Sequence, residues 1–287
     1  MGETLHIRTA LPADAEACGA VCYEAFAAIS REHNFPCDFP GPEATTGLLG
    51  MMFRTPGFYA VVAELDGRIV GSNCLYESGV ISGVGPISVD PAVQNRRVGH
   101  RLMEAVMERA CAQGAAGIRL VQAGFHNRTL SLYTKLSFAV REPLACMQGR
   151  TLQRTVEGCL VRPATSGDVE ACNALCRRVH GFARGLEVEA GIRQGTARVT
   201  VRGGNVTAYS SDLAFFGHSV AEPNLDLQAL LASVESFGGP GILVPTRNSE
   251  LFRWCLQNGL RITQPMNLMS AGLYNEPAGA WLPSVLF

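Results

Sequence analysis

One segment in the first half of the chain combines residue types that could bind a phosphate group. Residues 88–103 read SVDPAVQNRRVGHRLM, which is a short strand end, a proline, a polar loop and the start of a helix. The first turn of a helix has N–H groups without an intrahelical acceptor and carries the positive end of the helix dipole. Anions are stabilised there, and the loop arginines would add donors and positive charge. An ordinary strand, turn and surface helix with solvated arginines would give the same pattern.

The elements on either side of this loop follow from the apolar spacing. Ile87 and Val89 end a buried strand, and Pro91 prevents its continuation. Apolar residues then recur at every fourth position, which predicts the buried stripe of a helix. The residues of this stripe are Val98, Leu102, Val106 and Ala110. Gly99 falls near the helix start, where the missing Cβ would let a diphosphate approach the backbone closely.

The loop resembles motif A of the GNAT superfamily of N-acetyltransferases, Val-x-Pro-x-x-Gln/Arg-x-x-Gly-x-Gly/Ala before a helix. Val89, Pro91, Gln94 and Gly99 match this motif, whereas Arg97 stands where the family usually has glycine. An arginine there must adopt the loop conformation at a steric cost or reshape the loop. The resemblance implies that acetyl-CoA is the cosubstrate, with its pyrophosphate held by the loop amides. The residues expected to bind it are Ile87, Ser88, Val89, Gln94, Asn95, Arg96, Arg97, Val98, Gly99, His100 and Asn127.

A second segment resembles motif B of the same family, an asparagine followed by Leu-Tyr-x-Lys-x-Gly-Phe after the fifth strand. Residues 117–122 read as this strand and residues 127–138 as a short helix that ends before Phe138. Leu132, Tyr133, Lys135 and Phe138 match, and Ser137 occupies the glycine position. The resemblance implies that Tyr133 is the catalytic residue, as proton donor to the leaving coenzyme A thiolate. Tyr133 could instead be a core aromatic residue, and Asn127 a helix N-cap.

The family resemblance also implies the course of the reaction. Acetyl-CoA would lie in a cleft where the fourth and fifth strands part, and a bulge near residues 87–89 would offer an N–H to the thioester carbonyl. Transfer to the acceptor would be direct, without an acyl-enzyme. Some relatives use a glutamate on the fourth strand as general base, but this chain has Gly83 there. Alternative bases are Glu24, His33, Asp38, Glu77 or a water chain.

The chain contains an internal repeat. Residues 7–22 read IRTALPADAEACGAVC, and residues 161–176 read VRPATSGDVEACNALC, each a strand, a turn and a helix. The second copy is shorter in the region of the phosphate loop, where residues 222–223 lead directly into a helix predicted over 224–237 with Asn224 as its cap. Cys255 takes the position of Tyr133. The sequence therefore predicts that the second copy is catalytically inactive.

We expect an α/β fold with mixed α+β sheets, made of two tandem GNAT-like acyl-CoA N-acyltransferase domains. The catalytic domain that binds acetyl-CoA would span residues 1–150, and the degenerate domain with a C-terminal tail residues 159–287. Two short closing strands are predicted at 138–141 and 144–149, and Asp66-Gly67 predicts a hairpin turn. The proline-rich segment 33–42 is predicted to be a loop that borders the acceptor site.

Composition excludes several classes of protein. The chain has 24 basic and 25 acidic residues and a pI near 6.6, which argues against a nucleic-acid surface. It has neither a long apolar run nor a signal-peptide pattern, so we expect no membrane partner and a cytoplasmic protein. The ten cysteines are scattered without metal-ligand spacing, which favours reduced core thiols and no metal site.

Two functions remain open at this level. The first is an N-acetyltransferase that acts on a small-molecule amine, and it rests on the paired motifs with Tyr133. The second is a non-catalytic acyl-CoA-binding or scaffold protein, motivated by Arg97 in the loop and by the missing strand carboxylate. The acceptor, the length of the acyl chain and assembly into a homo-oligomer are not determined by the sequence.

Overall fold

The chain forms two compact units in a computed structural model, which describes residues 5–77, 79–150 and 154–286. Unit 1 comprises Met1–Ala139, Ser270–Leu273 and residue 286. Unit 2 comprises Val140–Met269, Tyr274–Val285 and residue 287. The predicted boundary at residues 150–159 differs from this division, because the strand that follows residue 139 belongs to unit 2.

Unit 1 is a mixed sheet with helices on both faces. Its elements are β1 (Leu5–Thr9), α1 (Ala15–Glu32), α2 (Pro42–Met52), β2 (Phe58–Leu65), β3 (Arg68–Tyr76), β4 (Ile81–Val89), α3 (Val98–Ala112), β5 (Gly117–Ala123) and α4 (Asn127–Lys135). The strands follow the order β1-β2-β3-β4-β5 and are antiparallel except for the parallel pair β4 and β5. Residues 270–273 continue this unit beside β5, where the Leu273 N–H donates to the Ala116 carbonyl at 2.9 Å.

The two faces of this sheet have different cores. On one face α1 and α2 pack against β2 and β3 through a cluster that includes Cys18, Cys22 and Cys74. Burial raises the pKa of Cys18 and Cys22 to about 12, so both remain thiols. On the other face the predicted stripe of α3 is buried, at Val98, Leu102, Val106 and Ala110. The expectation of apolar core thiols is confirmed for these cysteines.

Unit 2 repeats the order of elements of unit 1. Its elements are β6 (Ala139–Gln148), β7 (Leu160–Pro163), α5 (Val169–His180), α6 (Gly185–Gln194), β8 (Arg198–Arg202), β9 (Asn205–Ser210), β10 (Ser219–Ala221), α7 (Asn224–Ala232), β11 (Ile242–Pro245), α8 (Ser249–Gln257), β12 (Arg261–Gly272) and β13 (Ala280–Leu282). One sheet has the order β7-β8-β9-β10-β13, and β11 pairs with β6 in an antiparallel ladder. From β7 to α8 the elements correspond in order to those from β1 to α4.

The same ion pair opens both copies. The Arg8 guanidinium donates to both oxygens of Asp14 at 2.7 and 3.0 Å, and Arg162 donates to both oxygens of Asp168 at 2.8 and 2.7 Å. Each aspartate also accepts the N–H of the residue three positions before it, Leu11 or Thr165. The internal repeat read from the sequence is thus confirmed at the level of individual hydrogen bonds.

Three element predictions differ from the structure. The closing strands predicted at 138–141 and 144–149 form the single strand β6. Pro143 does not break this strand, and its carbonyl accepts the Thr246 N–H at 3.0 Å. The helix predicted over 224–237 ends at Ala232, since the Ser233 N–H and hydroxyl both turn back to the Leu230 carbonyl. Asn224 does not cap that helix, because its side chain pairs with Asn248 instead.

Candidate active site

Strands β4 and β5 part along their length in unit 1. Their parallel ladder contains three pairs within the described residues, Ile81↔Gly117, Ser82↔Ile118 and Gly83↔Arg119. Beyond these pairs β4 continues to Val89 and β5 to Ala123, which opens a gap between residues 84–89 and 120–123. The cleft implied by the family resemblance is therefore present. We call it the β4–β5 gap.

The backbone of β4 directs donors into this gap. The Asp90 N–H donates to the Val70 carbonyl at 2.8 Å, on the β3 side of the strand. Because successive N–H groups of a strand point to opposite edges, those of Val89 and Ile87 face the β5 side. The side chain of Ser88 is buried, with its hydroxyl 3.5 Å from that of Ser72. By the same alternation the Ser88 N–H faces β3, so neither its hydroxyl nor its N–H is directed into the gap.

The bulge in β4 lies before the predicted position at residues 87–89. Asn73 pairs with Ile87 and Leu75 with Val84, so β4 has one residue more than β3 between these pairs. The extra residue falls at Gly85 and Pro86, where Gly85 has φ 140° and the Gly85–Pro86 peptide bond is cis. Glycine adopts this φ readily, which explains the position. Since Pro86 has no N–H, the donors at this edge begin at Ile87.

The loop after β4 is held by side-chain hydrogen bonds and contains a left-handed residue just before α3. The Asp90 carboxylate accepts hydrogen bonds from the Ala92 N–H at 2.9 Å and from the Arg68 guanidinium at 2.7 Å. These bonds stabilise the turn at Pro91–Val93. Arg97 is left-handed, with φ 64° and ψ 9°, and α3 begins at the next residue. Arg97 therefore occupies a left-handed conformation that glycine would adopt with less strain.

The start of α3 suits an anion. The first-turn N–H groups of Val98, Gly99 and His100 have no acceptor within the helix, and the Arg97 side chain does not cap them. Arg96 and Arg97 are exposed beside this end of the helix. A Cβ on Gly99 would meet Leu132 and Val89 at 3.6 and 3.7 Å, which is ordinary contact. Packing within the chain therefore does not require glycine at this position.

Gln94 and Asn95 tie the loop to its neighbours. The Gln94 amide donates to the Val89 carbonyl at 3.4 Å, and Arg128 donates to the Asn95 side chain at 2.7 Å. Asn95 is also left-handed, with φ 72°. The contact with Arg128 connects the loop to α4, so the two motifs found in the sequence lie together in the structure.

Tyr133 points inward from α4. It is 5% exposed, and its ring lies 6.2 Å from that of Phe138. Among the described residues none forms a hydrogen bond with its hydroxyl. Burial raises the pKa of Tyr133 well above its usual value, so it keeps its proton and can act as a donor. Ser137, in the glycine position of motif B, is left-handed with φ 68°.

Asn127 is exposed and is the first residue of α4, whereas the N-cap is His126. The prediction of Asn127 as the cap is therefore wrong at this position. The physical reason is that His126 has the non-helical backbone angles of a cap, φ −88° and ψ 79°, and Asn127 already lies within the helix.

The alternative general bases have different surroundings. Glu77 is held by Arg109 through two hydrogen bonds of 2.8 Å, and Glu24 is exposed on α1. His33 and Asp38 are half-buried, and Gly83 is buried within the paired part of β4. Sequence reasoning missed His126, which precedes α4. Its pKa is lowered to about 4 by burial and by Arg128 and His33, so it is neutral near pH 7.

In unit 2, side chains and a strand of the unit itself occupy the positions that correspond to the start of α3 and the open edge of β4. At the start of α7 the buried Asp226 accepts two hydrogen bonds from Arg202 at 2.9 and 3.0 Å. The edge of β10, which corresponds to β4, pairs with β13 from Ser219↔Leu282 to Ala221↔Ala280. Cys255 is buried in α8, and burial raises its pKa to about 12. These features agree with the loss of the phosphate loop expected for the second copy.

The described residues hold no cluster of three or more side chains suited to a metal ion. None of their helices is both long enough and apolar enough to cross a membrane.

Comparison with known proteins supports the fold. Residues 56–140 match the family described as acetyltransferase (GNAT) domain. A candidate acetyltransferase from Pyrococcus horikoshii is similar with a TM-score of 0.70 at 19% identity, over 96% of this chain and 94% of that one. A GCN5-related N-acetyltransferase from Sphaerobacter thermophilus gives 0.63 at 14% identity, over 95% and 96% of the two chains.

A tandem GNAT protein from the clavulanic acid biosynthesis pathway is also similar over its whole length. The TM-score is 0.55 at 14% identity, with 98% of this chain and 100% of that chain covered. No match was found among curated protein sequences. The family match spans α3, the gap and α4, and the structural matches extend the same fold over both units. Residues 56–140 therefore match the GNAT acetyltransferase domain family, and the chain as a whole shares the fold of a solved tandem GNAT protein.

Proposed function

We propose that unit 1 transfers the acetyl group of acetyl-CoA directly to the amino group of a small-molecule acceptor. One observation carries this proposal: the β4–β5 gap opens beside the uncapped start of α3, where Gly99 lies against Val89 of β4 and against Leu132, the neighbour of Tyr133 on α4. Anion binding, a channel for the pantetheine arm and a proton donor are the three parts that such a transfer needs.

The coenzyme would be held mainly by backbone groups. The diphosphate would accept hydrogen bonds from the N–H groups of Val98, Gly99 and His100, with the charges of Arg96 and Arg97 nearby. The pantetheine arm would follow the open edge of β4. There the N–H groups of Ile87 and Val89 face the gap, and one of them would stabilise the negative charge that develops on the thioester oxygen.

Tyr133 would serve as the proton donor. The neutral amine nitrogen attacks the thioester carbonyl carbon, a C–N bond forms, and the C–S bond breaks. The departing sulfur takes the hydroxyl proton of Tyr133, and the proton released from nitrogen returns to the phenolate through solvent. The Tyr133 hydroxyl is protonated near pH 7, so it has a proton to donate. Burial raises its pKa and makes it a weaker acid, so this role requires the departing sulfur to lie directly at the hydroxyl.

The experiment measures release of coenzyme A from acetyl-CoA with a panel of amines. We expect turnover by the unmodified protein and a decrease in kcat of about 10²-fold or more for Tyr133→Phe, with unchanged coenzyme A affinity. Tyr59→Phe is the matched control, because Tyr59 lies on β2, two strands from β4. Coenzyme A binding without turnover of any amine, and no effect of Tyr133→Phe, would instead favour a non-catalytic acyl-CoA-binding protein.

A further inference from the structure

Three aromatic side chains form a connected surface at one end of the β4–β5 gap. The rings of Phe35 and Phe125 are stacked, with centroids 4.2 Å apart and an interplanar angle of 7°. The ring of His33 lies 5.5 Å from that of Phe125. All three residues are half-buried, so part of each remains accessible. We call His33, Phe35 and Phe125 the aromatic wall.

Backbone hydrogen bonds hold the wall from both sides. On the first side, the Phe35 N–H donates to the Ser30 carbonyl at 2.9 Å, and His33 Nδ1 lies 3.1 Å from the Ile29 carbonyl. On the other side, the His126 N–H donates to the Ala123 carbonyl at 2.9 Å and closes the turn that carries Phe125. The wall is therefore built from two separate segments, each anchored to a regular element.

The wall follows directly after the β5 side of the gap along the chain. Residues 120–123 form the β5 side of the gap, and Phe125 follows two residues later. The next element is α4, which carries Tyr133. Phe35 belongs to the loop between α1 and α2, and its stacking brings that loop to the same end of β5. An amine that reaches a thioester in the gap would therefore meet these rings.

The chemistry of the wall selects flat apolar groups. Aromatic rings bind other rings by offset or edge contacts and gain from burial of apolar surface. The neighbouring His126 is neutral near pH 7 because burial lowers its pKa, so it adds no positive charge beside the rings. The two phenyl rings offer no hydrogen-bond acceptor for the additional ammonium groups of a polyamine or the hydroxyls of an amino sugar. Polyamines and amino sugars therefore fit this surface poorly.

We propose that the acceptor of unit 1 is an amine carried on an aromatic or other flat apolar group, which contacts the aromatic wall. This inference rests on the proposed function, because only acetyl transfer would make the bound amine an acceptor. Its recognition chemistry rests on the described contacts alone.

The test combines binding with turnover. Binding of 2-phenylethylamine, ethylamine and spermidine is measured by calorimetry in the presence of coenzyme A, and kcat and KM are measured with acetyl-CoA. We expect 2-phenylethylamine to bind more tightly than the other two amines. Phe35→Leu and Phe125→Leu should each weaken its binding by about 3–10-fold, from the usual strength of an aromatic pair. Phe35→Trp, which keeps an aromatic ring at this position, should bind 2-phenylethylamine about as tightly as the unmodified protein.

Phe39→Leu is the matched control. Phe39 lies in the same loop but packs edge-on against Phe26 at 5.2 Å, within the core of α1 and α2. It should leave amine binding unchanged. Equal or tighter binding of spermidine or ethylamine, or equal losses in Phe39→Leu and Phe35→Leu, would overturn the proposal. Binding of 2-phenylethylamine without acetyl transfer would support the aromatic wall as the binding surface for such amines and would contradict the proposed function.

Discussion

Arg97 and Ser137 stand where the two GNAT motifs usually have glycine, and both are left-handed, with φ 64° and 68°. The motif therefore specifies a backbone conformation, which a non-glycine residue can adopt at a cost of about 1–2 kcal/mol. The sequence identified both positions, but it could not decide between a strained loop and a reshaped one. That choice depends on the contacts of the whole loop with β4 and α4.

Arg97→Gly should stabilise the protein. Relief of the left-handed strain, about 1–2 kcal/mol, exceeds the entropic cost of glycine, about 0.5–1 kcal/mol. We expect the free energy of unfolding in urea to rise by about 0.5–1 kcal/mol. Coenzyme A should still bind, with its Kd changed less than about fivefold, as for loss of one charge near a helix end.

Arg96→Gly is the control for this prediction, because residue 96 does not have a positive φ. It should lower the free energy of unfolding by about 0.5–1 kcal/mol, since glycine adds only entropy there. Equal effects of the two substitutions would show that the conformation of residue 97 carries no strain.

His126 should make the protein sensitive to mild acid. Its pKa is lowered to about 4 in the folded chain, against about 6.5 in the unfolded chain. The unfolded chain therefore binds more protons between these values, and stability falls as the pH falls from about 6.5 to 4. His126→Gln removes this term, so its free energy of unfolding should fall less over that range. Parallel pH profiles of the two proteins would contradict the assignment.

At the scale of elements, short-range patterns predicted most of unit 1. The apolar stripe of α3, the hairpin at Asp66-Gly67 and the order from β1 to α4 are confirmed. The misplaced features depend on distant partners. The bulge at Gly85 is defined by pairing with β3, and β6 remains whole because Thr246 bonds to Pro143. Neither partner is visible in the local sequence.

The repeated arginine–aspartate pairs should contribute similarly to both units. Asp14→Asn and Asp168→Asn each remove a charged partner from two hydrogen bonds, and each should cost about 1–3 kcal/mol in urea unfolding near pH 7. Each arginine lowers the pKa of its aspartate. The contribution is therefore present above about pH 4 and is lost as the carboxylate is protonated at lower pH.

Comparison of stability across pH checks this prediction. Each variant should approach the unmodified protein as the pH falls below the ordinary pKa of aspartate. A difference that stays constant down to pH 2 would contradict the role of the charged pair. The exposed pair of Arg177 and Glu170 provides a control, since Glu170→Gln should cost less than about 1 kcal/mol.

At the scale of the whole molecule, the two repeats differ in whether the edge of the strand before their central helix is paired. In unit 1 the edge of β4 beyond Gly83 is open, whereas in unit 2 the edge of β10 is covered by β13. The sequence predicted the lost phosphate loop, because a deletion is visible along the chain. It could not predict the covering strand, since residues 280–282 lie outside the repeat and pair across a long sequence separation.

The chain should accordingly bind one coenzyme A. In calorimetry we expect a stoichiometry of one site per chain. The buried Asp226 and the strand β13 exclude the diphosphate and the pantetheine arm from unit 2. Gly99→Asp, which places negative charge in the first turn of α3, should abolish detectable binding. A second site that survives this substitution would show that unit 2 also accepts the coenzyme.

The structure of the protein crystallised with coenzyme A tests the central assignment most directly. The account predicts phosphate oxygens within hydrogen-bond distance of the N–H groups of Val98, Gly99 and His100, and the pantetheine arm between β4 and β5. Coenzyme A bound elsewhere, or a β4–β5 gap closed by the Arg97 side chain with no coenzyme in it, would contradict the account.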